Sequence, residues 1–171
     1  DEFHPIAQLL GTVTEAGDPI AYAPHVLLDP PPGRPAVDVL VTYSVYDEVM
    51  PNIATHALIR ALGIEVAEPY LVGIPGVPTV ASPVSKNLAN GRTGAAFEYA
   101  PSNHALGYER FDLREFLPGV PYDGDERFPT LPKSFEVEMP VREHADQLVS
   151  FLGSVASGEA ATIPSTAPPR A

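Results

Sequence analysis

The apolar residues of the chain fall into short runs whose spacing predicts three helices and two strands. Over residues 3–10, 52–62 and 141–155 the apolar side chains recur at helical spacing, and Gly63 follows the second of these segments as a typical helix end. Residues 37–43 and 95–100 are nearly continuous apolar runs, as in strands that are covered on both faces of a parallel sheet. The strand, helix, strand order predicts a βαβ unit, and therefore an α/β fold with mostly parallel strands, flanking helices and long loops.

Two long segments interrupt this pattern, and the end of the chain changes in composition. Residues 69–94 and 108–140 are longer than ordinary connections and rich in proline, and the chain has 21 prolines in all. Ordered loops of this length beside strand ends are commonly lids or pocket walls. Residues 159–171 are mostly Pro, Ser, Thr and Ala, so we expect a domain over residues 1–158 and a disordered tail after it.

Charge and composition exclude several classes of function. The net charge is −12, which argues against nucleic acid or an anionic membrane surface as partner, because both are polyanions. The sequence has no cysteine, which excludes disulfides and thiol chemistry, and no apolar run long enough to predict a transmembrane segment. The chain opens at Asp1 without a signal-like segment, as a mature or cut chain would.

Two residues at strand ends carry the candidate chemistry. Asp47 comes shortly after the first predicted strand, and His104 comes shortly after the second. Polar groups beyond the carboxyl ends of neighbouring parallel strands converge at one edge of the sheet. Histidine titrates in the range needed for a general base, and a carboxylate can hold its tautomer and stabilise the imidazolium. The order Asp then His is the second half of the Ser, Asp, His order of α/β-hydrolases.

Each candidate also has a simpler interpretation. Aspartate is favoured in turns and at helix caps, so Asp47 alone is compatible with either role. His104 alone is compatible with an ordinary loop histidine, and Glu48 with a solvated carboxylate. The segment Asp123–Glu126 resembles part of a calcium loop but lacks the alternating ligands and distal Glu, which favours a solvated turn. The histidines lack metal-ligand spacing, so no metal or cofactor is expected.

Residues 39–51, VLVTYSVYDEVMP, resemble the acid segment of α/β-hydrolases, with Met50 where valine is commoner. Residues 103–106 resemble the histidine loop of that family, and residues 141–152 its closing helix. Residues 4–23 are similar to a stretch that precedes the acid strand in secreted bacterial lipases and esterases. This resemblance implies Asp47 and His104 as catalytic residues, and a secreted or periplasmic protein.

The nucleophile of such an enzyme is missing from the 171 residues. No Gly-X-Ser-X-Gly motif occurs, and residues 153–158 lack both the spacing and the preceding strand. The resemblance therefore implies the C-terminal half of a lipase or carboxylesterase whose N-terminal part supplies the serine and associates without a disulfide. The expected substrate is a small-molecule ester or lipid with an apolar acyl group. The alternative is a non-catalytic binding or structural module on a hydrolase scaffold, since a fold does not fix a function.

Overall fold

The computed structural model describes residues 5–14, 17–45, 47, 49–100, 102, 141–158 and 160–166. Over these residues the chain is an α/β protein, as the sequence pattern predicts. Its elements are, in chain order, α1 Pro5–Thr14, α2 Pro19–Leu27, β1 Val39–Ser44, α3 Asn52–Leu62, β2 Glu65–Ala67, β3 Thr79–Val80, β4 Val84–Ser85, β5 Gly94–Tyr99, α4 Val141–Ala156 and β6 Thr162–Ile163. No described helix is both long enough and apolar enough to cross a bilayer.

The main sheet has four strands in the order β1-β5-β2-β3, and every pairing in it is parallel. Strand β5 lies between β1 and β2, and all six of its residues are buried, which explains its continuous apolar run. Its six residues pair in register with β1, from Val39 opposite Gly94 to Ser44 opposite Tyr99. The carboxyl ends of β1 and β5 therefore lie side by side, and β1 forms one edge of the described sheet.

Helix α3 has the bounds that its sequence pattern predicts. Its apolar stripe buries Ile59 and Leu62, and Gly63 closes it in the left-handed conformation at φ 68°. That conformation suits glycine, and a Cβ atom at this position would lie 3.0 Å from the Leu28 side chain. Both the backbone angle and the packing therefore favour glycine at the end of α3.

The core has one cluster of buried side chains on each face of the sheet. On one face, α2 and α3 pack against the sheet through residues such as Leu27, Ile59 and Ala96. On the other face, Phe97 and Tyr99 pack with Phe151 of α4 and with Ile163 of β6. Because neighbouring residues of a strand point to opposite faces, the single strand β5 contributes to both clusters.

Three differences from the predicted elements have physical causes. Helix α2 was not predicted because Pro24 lies inside it, yet Asp18 caps its start by accepting the Ile20 amide at 2.9 Å. Strand β2 lies just before the long segment that precedes β5, and β3 and β4 lie within it; all three are only two or three residues long and carry too little periodicity to detect. Residues 162–163, within the segment predicted to be disordered, form β6 and pair antiparallel with β4.

Candidate functional site

Asp47 lies at the predicted edge of the sheet, three residues beyond the end of β1. It is half-buried, and its Oδ1 accepts hydrogen bonds from the main-chain amides of Val49 at 2.9 Å and Met50 at 2.7 Å. These two bonds make Asp47 a turn residue, as the simpler interpretation of the sequence has it. Both hydrogen bonds are accepted by Oδ1, so they fix the carboxylate group within the turn.

The loop that carries Asp47 is closed at its base by the first residue of α3. The Asn52 side chain donates from Nδ2 to the Val45 carbonyl at 2.6 Å. Together with the two bonds to Asp47, this contact spans residues 45 to 52 and fixes both ends of the loop. The carboxylate is therefore held in place before any ligand arrives, which a residue that orients an imidazole needs.

The chain leaving β5 is tied to the chain leaving β1. The Val45 amide donates to the Tyr99 carbonyl at 3.1 Å, one step beyond the last paired residues of the two strands. The Ser44 hydroxyl donates to the Ser102 carbonyl at 2.6 Å. The main chain is thus positioned two residues before His104. His104 itself lies outside the described residues, as does the Asp123–Glu126 segment.

A second carboxylate, that of Glu98, is buried in the sheet and was not among the predicted site residues. It is 1% exposed and lies at the carboxyl end of β5. Its Oε1 accepts from the main-chain amides of Leu71 at 2.5 Å and Val72 at 2.8 Å, and its Oε2 accepts from the Gly73 amide at 3.0 Å and the Tyr43 hydroxyl at 2.8 Å. Four donors on one carboxylate compensate for its loss of water. Glu98 therefore anchors the loop after β2 against β1 and β5.

One signal in the sequence pointed to Glu98. An acidic residue inside an apolar run that predicts a strand covered on both faces must be buried, and a buried carboxylate needs donors. The donors themselves were not predictable, because three of them are main-chain amides of a loop more than 20 residues away.

Tyr43 and His56 form the packed surroundings of this carboxylate. Burial, and then the negative charge and hydrogen bond of Glu98, raise the pKa of Tyr43. The His56 ring meets the Tyr43 ring edge-on at 5.8 Å, and burial followed by the Arg60 charge lowers the pKa of His56 while Glu98 opposes that shift. This group of residues stabilises the fold beneath the carboxyl edge.

On the opposite face, Tyr99 joins α4 to the sheet. Its hydroxyl donates to Gln147 Oε1 at 2.9 Å, and the Gln147 amide donates to the Pro164 carbonyl at 3.1 Å. His144 contacts Thr42 at 3.1 Å and stacks edge-on against Tyr99. Burial, and then Glu143, raise the pKa of Tyr99. These contacts hold the predicted closing helix against the strands that bear the candidate site.

We expect the stability of the fold to decrease at alkaline pH because of the two buried tyrosines. Their folded-state pKa values are raised above the unfolded value of 10.0, so the unfolded chain ionises first and is stabilised as the pH rises. The stability that the two protonated, buried tyrosines contribute is fully present below about pH 10 and is lost as the pH rises above it. Urea unfolding at several pH values from 8 to 11 measures the decrease.

Single variants separate this effect from other alkaline titrations. Tyr43→Phe and Tyr99→Phe each reduce the decrease of stability with pH, whereas Tyr22→Phe, at a position that is 54% exposed, leaves it unchanged. An equal slope in all three variants would contradict the assignment to the buried tyrosines.

Within the described residues, no group of three or more His, Asp or Glu side chains could hold a metal ion. Comparison of the chain with models of protein families, with curated proteins and with solved structures gives no significant match. A function for this chain is therefore inferred from its fold and from the geometry of the candidate site.

Proposed function

We propose that this chain is the C-terminal half of an α/β-hydrolase that cleaves apolar acyl esters, as lipases and carboxylesterases do. Asp47 and His104 are the acid and the histidine of a Ser-His-Asp triad, and the serine belongs to an N-terminal part of the same hydrolase. The observation that carries this proposal is the parallel pairing of β1 with β5, which brings the chain segments leading to Asp47 and to His104 out of the sheet side by side.

In this proposal His104 moves the proton and Asp47 assists it. His104 takes the proton of the serine hydroxyl as that oxygen attacks the ester carbonyl, and then gives it to the departing alkoxide. In the second half of the cycle it activates water against the acyl-enzyme. Asp47 holds the imidazole in the required tautomer and stabilises the imidazolium. The bonds that hold Asp47 in its loop support this role, because they orient the carboxylate in advance.

Exposed apolar side chains at the carboxyl edge favour a substrate with an apolar acyl group. Val49 and Met50 lie two and three residues after Asp47 and are 41% and 46% exposed, and Tyr70 and Val72 lie in the loop that Glu98 anchors. Surfaces of this composition gain free energy by covering apolar groups and gain little from charged peptides. Secretion or export to the periplasm belongs to the same proposal.

A reagent that modifies activated serines tests the proposal directly. We expect a phosphonofluoridate to label the intact hydrolase, and peptide mapping to place the label on a serine outside these 171 residues. The label is lost in His104→Ala, because the serine is then not deprotonated. Labelling of a serine within the chain, or none in a preparation that hydrolyses esters, would contradict the proposed division of the triad. An intact protein with neither labelling nor turnover would instead support a non-catalytic module.

A further inference from the structure

The hydroxyl of Ser44 joins the two strand ends at which the proposed site is built. Ser44 is the last residue of β1 and is 2% exposed, and it donates to the main-chain carbonyl of Ser102 at 2.6 Å. Ser102 is 6% exposed, and its own hydroxyl donates to the Tyr99 carbonyl at 2.9 Å. Both hydrogen bonds are buried, so water does not compete for them.

These bonds act where the strand pairing stops. The last pair of the ladder is Ser44 with Tyr99, and the two chains lead on in sequence toward Asp47 and His104. The Ser44 hydroxyl reaches from the end of one strand to the main chain three residues beyond the end of the other. It thereby keeps the second chain alongside the first after the regular ladder has ended.

We infer that Ser44 is a positioning residue for the proposed reaction: its hydroxyl holds the Ser102 carbonyl, which lies two residues before His104 in the sequence, against the end of the strand that leads to Asp47. This inference rests on the proposed function. Asp47 is three residues beyond Ser44 and His104 is two residues beyond Ser102, so a shift at the junction reaches both residues. A misplacement of about 1 Å costs a catalytic group roughly 100-fold in rate.

The test replaces Ser44 in the intact hydrolase and measures turnover of a short acyl ester. We expect Ser44→Ala to lower kcat by about 10- to 100-fold with little change in KM, because the proton transfer loses its geometry while the substrate surface is kept. We also expect the acid limb of the pH profile of kcat to move, because this limb reports the ionisation of the general base and a positioning residue acts on that base. Ser44→Thr, which keeps the hydroxyl, restores both.

Ser85→Ala is the matched control. The Ser85 hydroxyl also donates to a main-chain carbonyl, that of Ala161 at 3.0 Å, but it lies in the β4–β6 pair away from the strand ends of the candidate site. We expect it to leave kcat and the acid limb unchanged. If Ser44→Ala does not fold, Ser44→Cys replaces it in the test. A thiol is similar in shape to a hydroxyl but a weak hydrogen-bond donor, so we expect the kcat of Ser44→Cys to lie below that of Ser44→Thr.

Different results would contradict the positioning role of Ser44 and the proposed ester hydrolase function. If Ser44→Ala or Ser44→Cys lowers Tm but leaves kcat and the acid limb of its pH profile unchanged, the hydroxyl is only structural and the positioning role is wrong. The proposed triad would still stand in that case, provided that His104→Ala is inactive. Full turnover in His104→Ala would remove the proposed function, and the positioning role with it.

Discussion

Replacing His104 by alanine is expected to abolish ester hydrolysis in the intact hydrolase, with kcat lower by about 10⁶ for short and medium acyl esters. The histidine transfers a proton in both halves of the reaction, so no remaining group replaces it. His25→Ala is the matched control, because His25 is exposed and its ring contacts the Asp29 carbonyl at 2.8 Å, far along the chain from the site. Unchanged turnover in His104→Ala would exclude this histidine from the mechanism.

Asp47 is expected to contribute less than the histidine, about 10⁴ in kcat, because it orients and stabilises the imidazole and does not itself move the proton. Asp47→Asn separates its two roles. The amide oxygen can still accept from Val49 and Met50, so the turn and the stability are kept, whereas the charge is lost. Asp18→Ala is the control for a purely structural aspartate: it removes the α2 cap at a cost of about 1 kcal/mol and leaves kcat unchanged.

Replacing Glu98 by alanine is expected to destabilise the fold by about 3–5 kcal/mol. The change leaves three main-chain amides and the Tyr43 hydroxyl without their acceptor in a buried place, and each orphaned group costs roughly 1–3 kcal/mol unless water enters. In a chain of this size the loss lowers Tm by roughly 8–15 °C. Thermal and urea unfolding, monitored by circular dichroism, measure it.

Two variants place this result in context. Glu65→Ala removes a carboxylate of the neighbouring strand that accepts one side-chain hydrogen bond, from Asn87 at 3.0 Å, and should cost about 1 kcal/mol. Glu98→Gln keeps one acceptor oxygen and should lie between the two. If Glu98→Ala were as stable as Glu65→Ala, the four-donor arrangement would not be a significant source of stability.

The strong periodic elements of this fold were predictable from the sequence, and the short ones were not. The stripe of α3 and the Gly63 end give its bounds directly, and the apolar runs at β1 and β5 locate both strands within two residues. Strands β2, β3 and β4 depend on tertiary pairing alone, since two or three residues carry no usable pattern. Strand β6 was also not predictable, because the Pro, Ser, Thr and Ala residues around it in the sequence are typical of a disordered tail.

For the candidate site, the sequence indicated placement but not contacts. Asp47 lies three residues beyond the parallel strand β1, and the apolar run before it indicated that strand. The hydrogen bonds from the Ser44 hydroxyl to the Ser102 carbonyl and from the amides of residues 71–73 to the Glu98 carboxylate connect residues more than 20 positions apart. Only the topology of the sheet, with β5 placed between β1 and β2, brings them together.

The pairing of β1 with β5 also bears on how quickly the chain can fold. The paired residues are 55 positions apart, so their contact closes a long loop, whereas β2 follows α3 within a few residues along the chain. Closing such a loop costs entropy before any contact repays it, which makes non-local parallel pairing a slow step. The edge that carries the candidate site is therefore expected to form late, so refolding rates should respond most to substitutions at the β1–β5 junction.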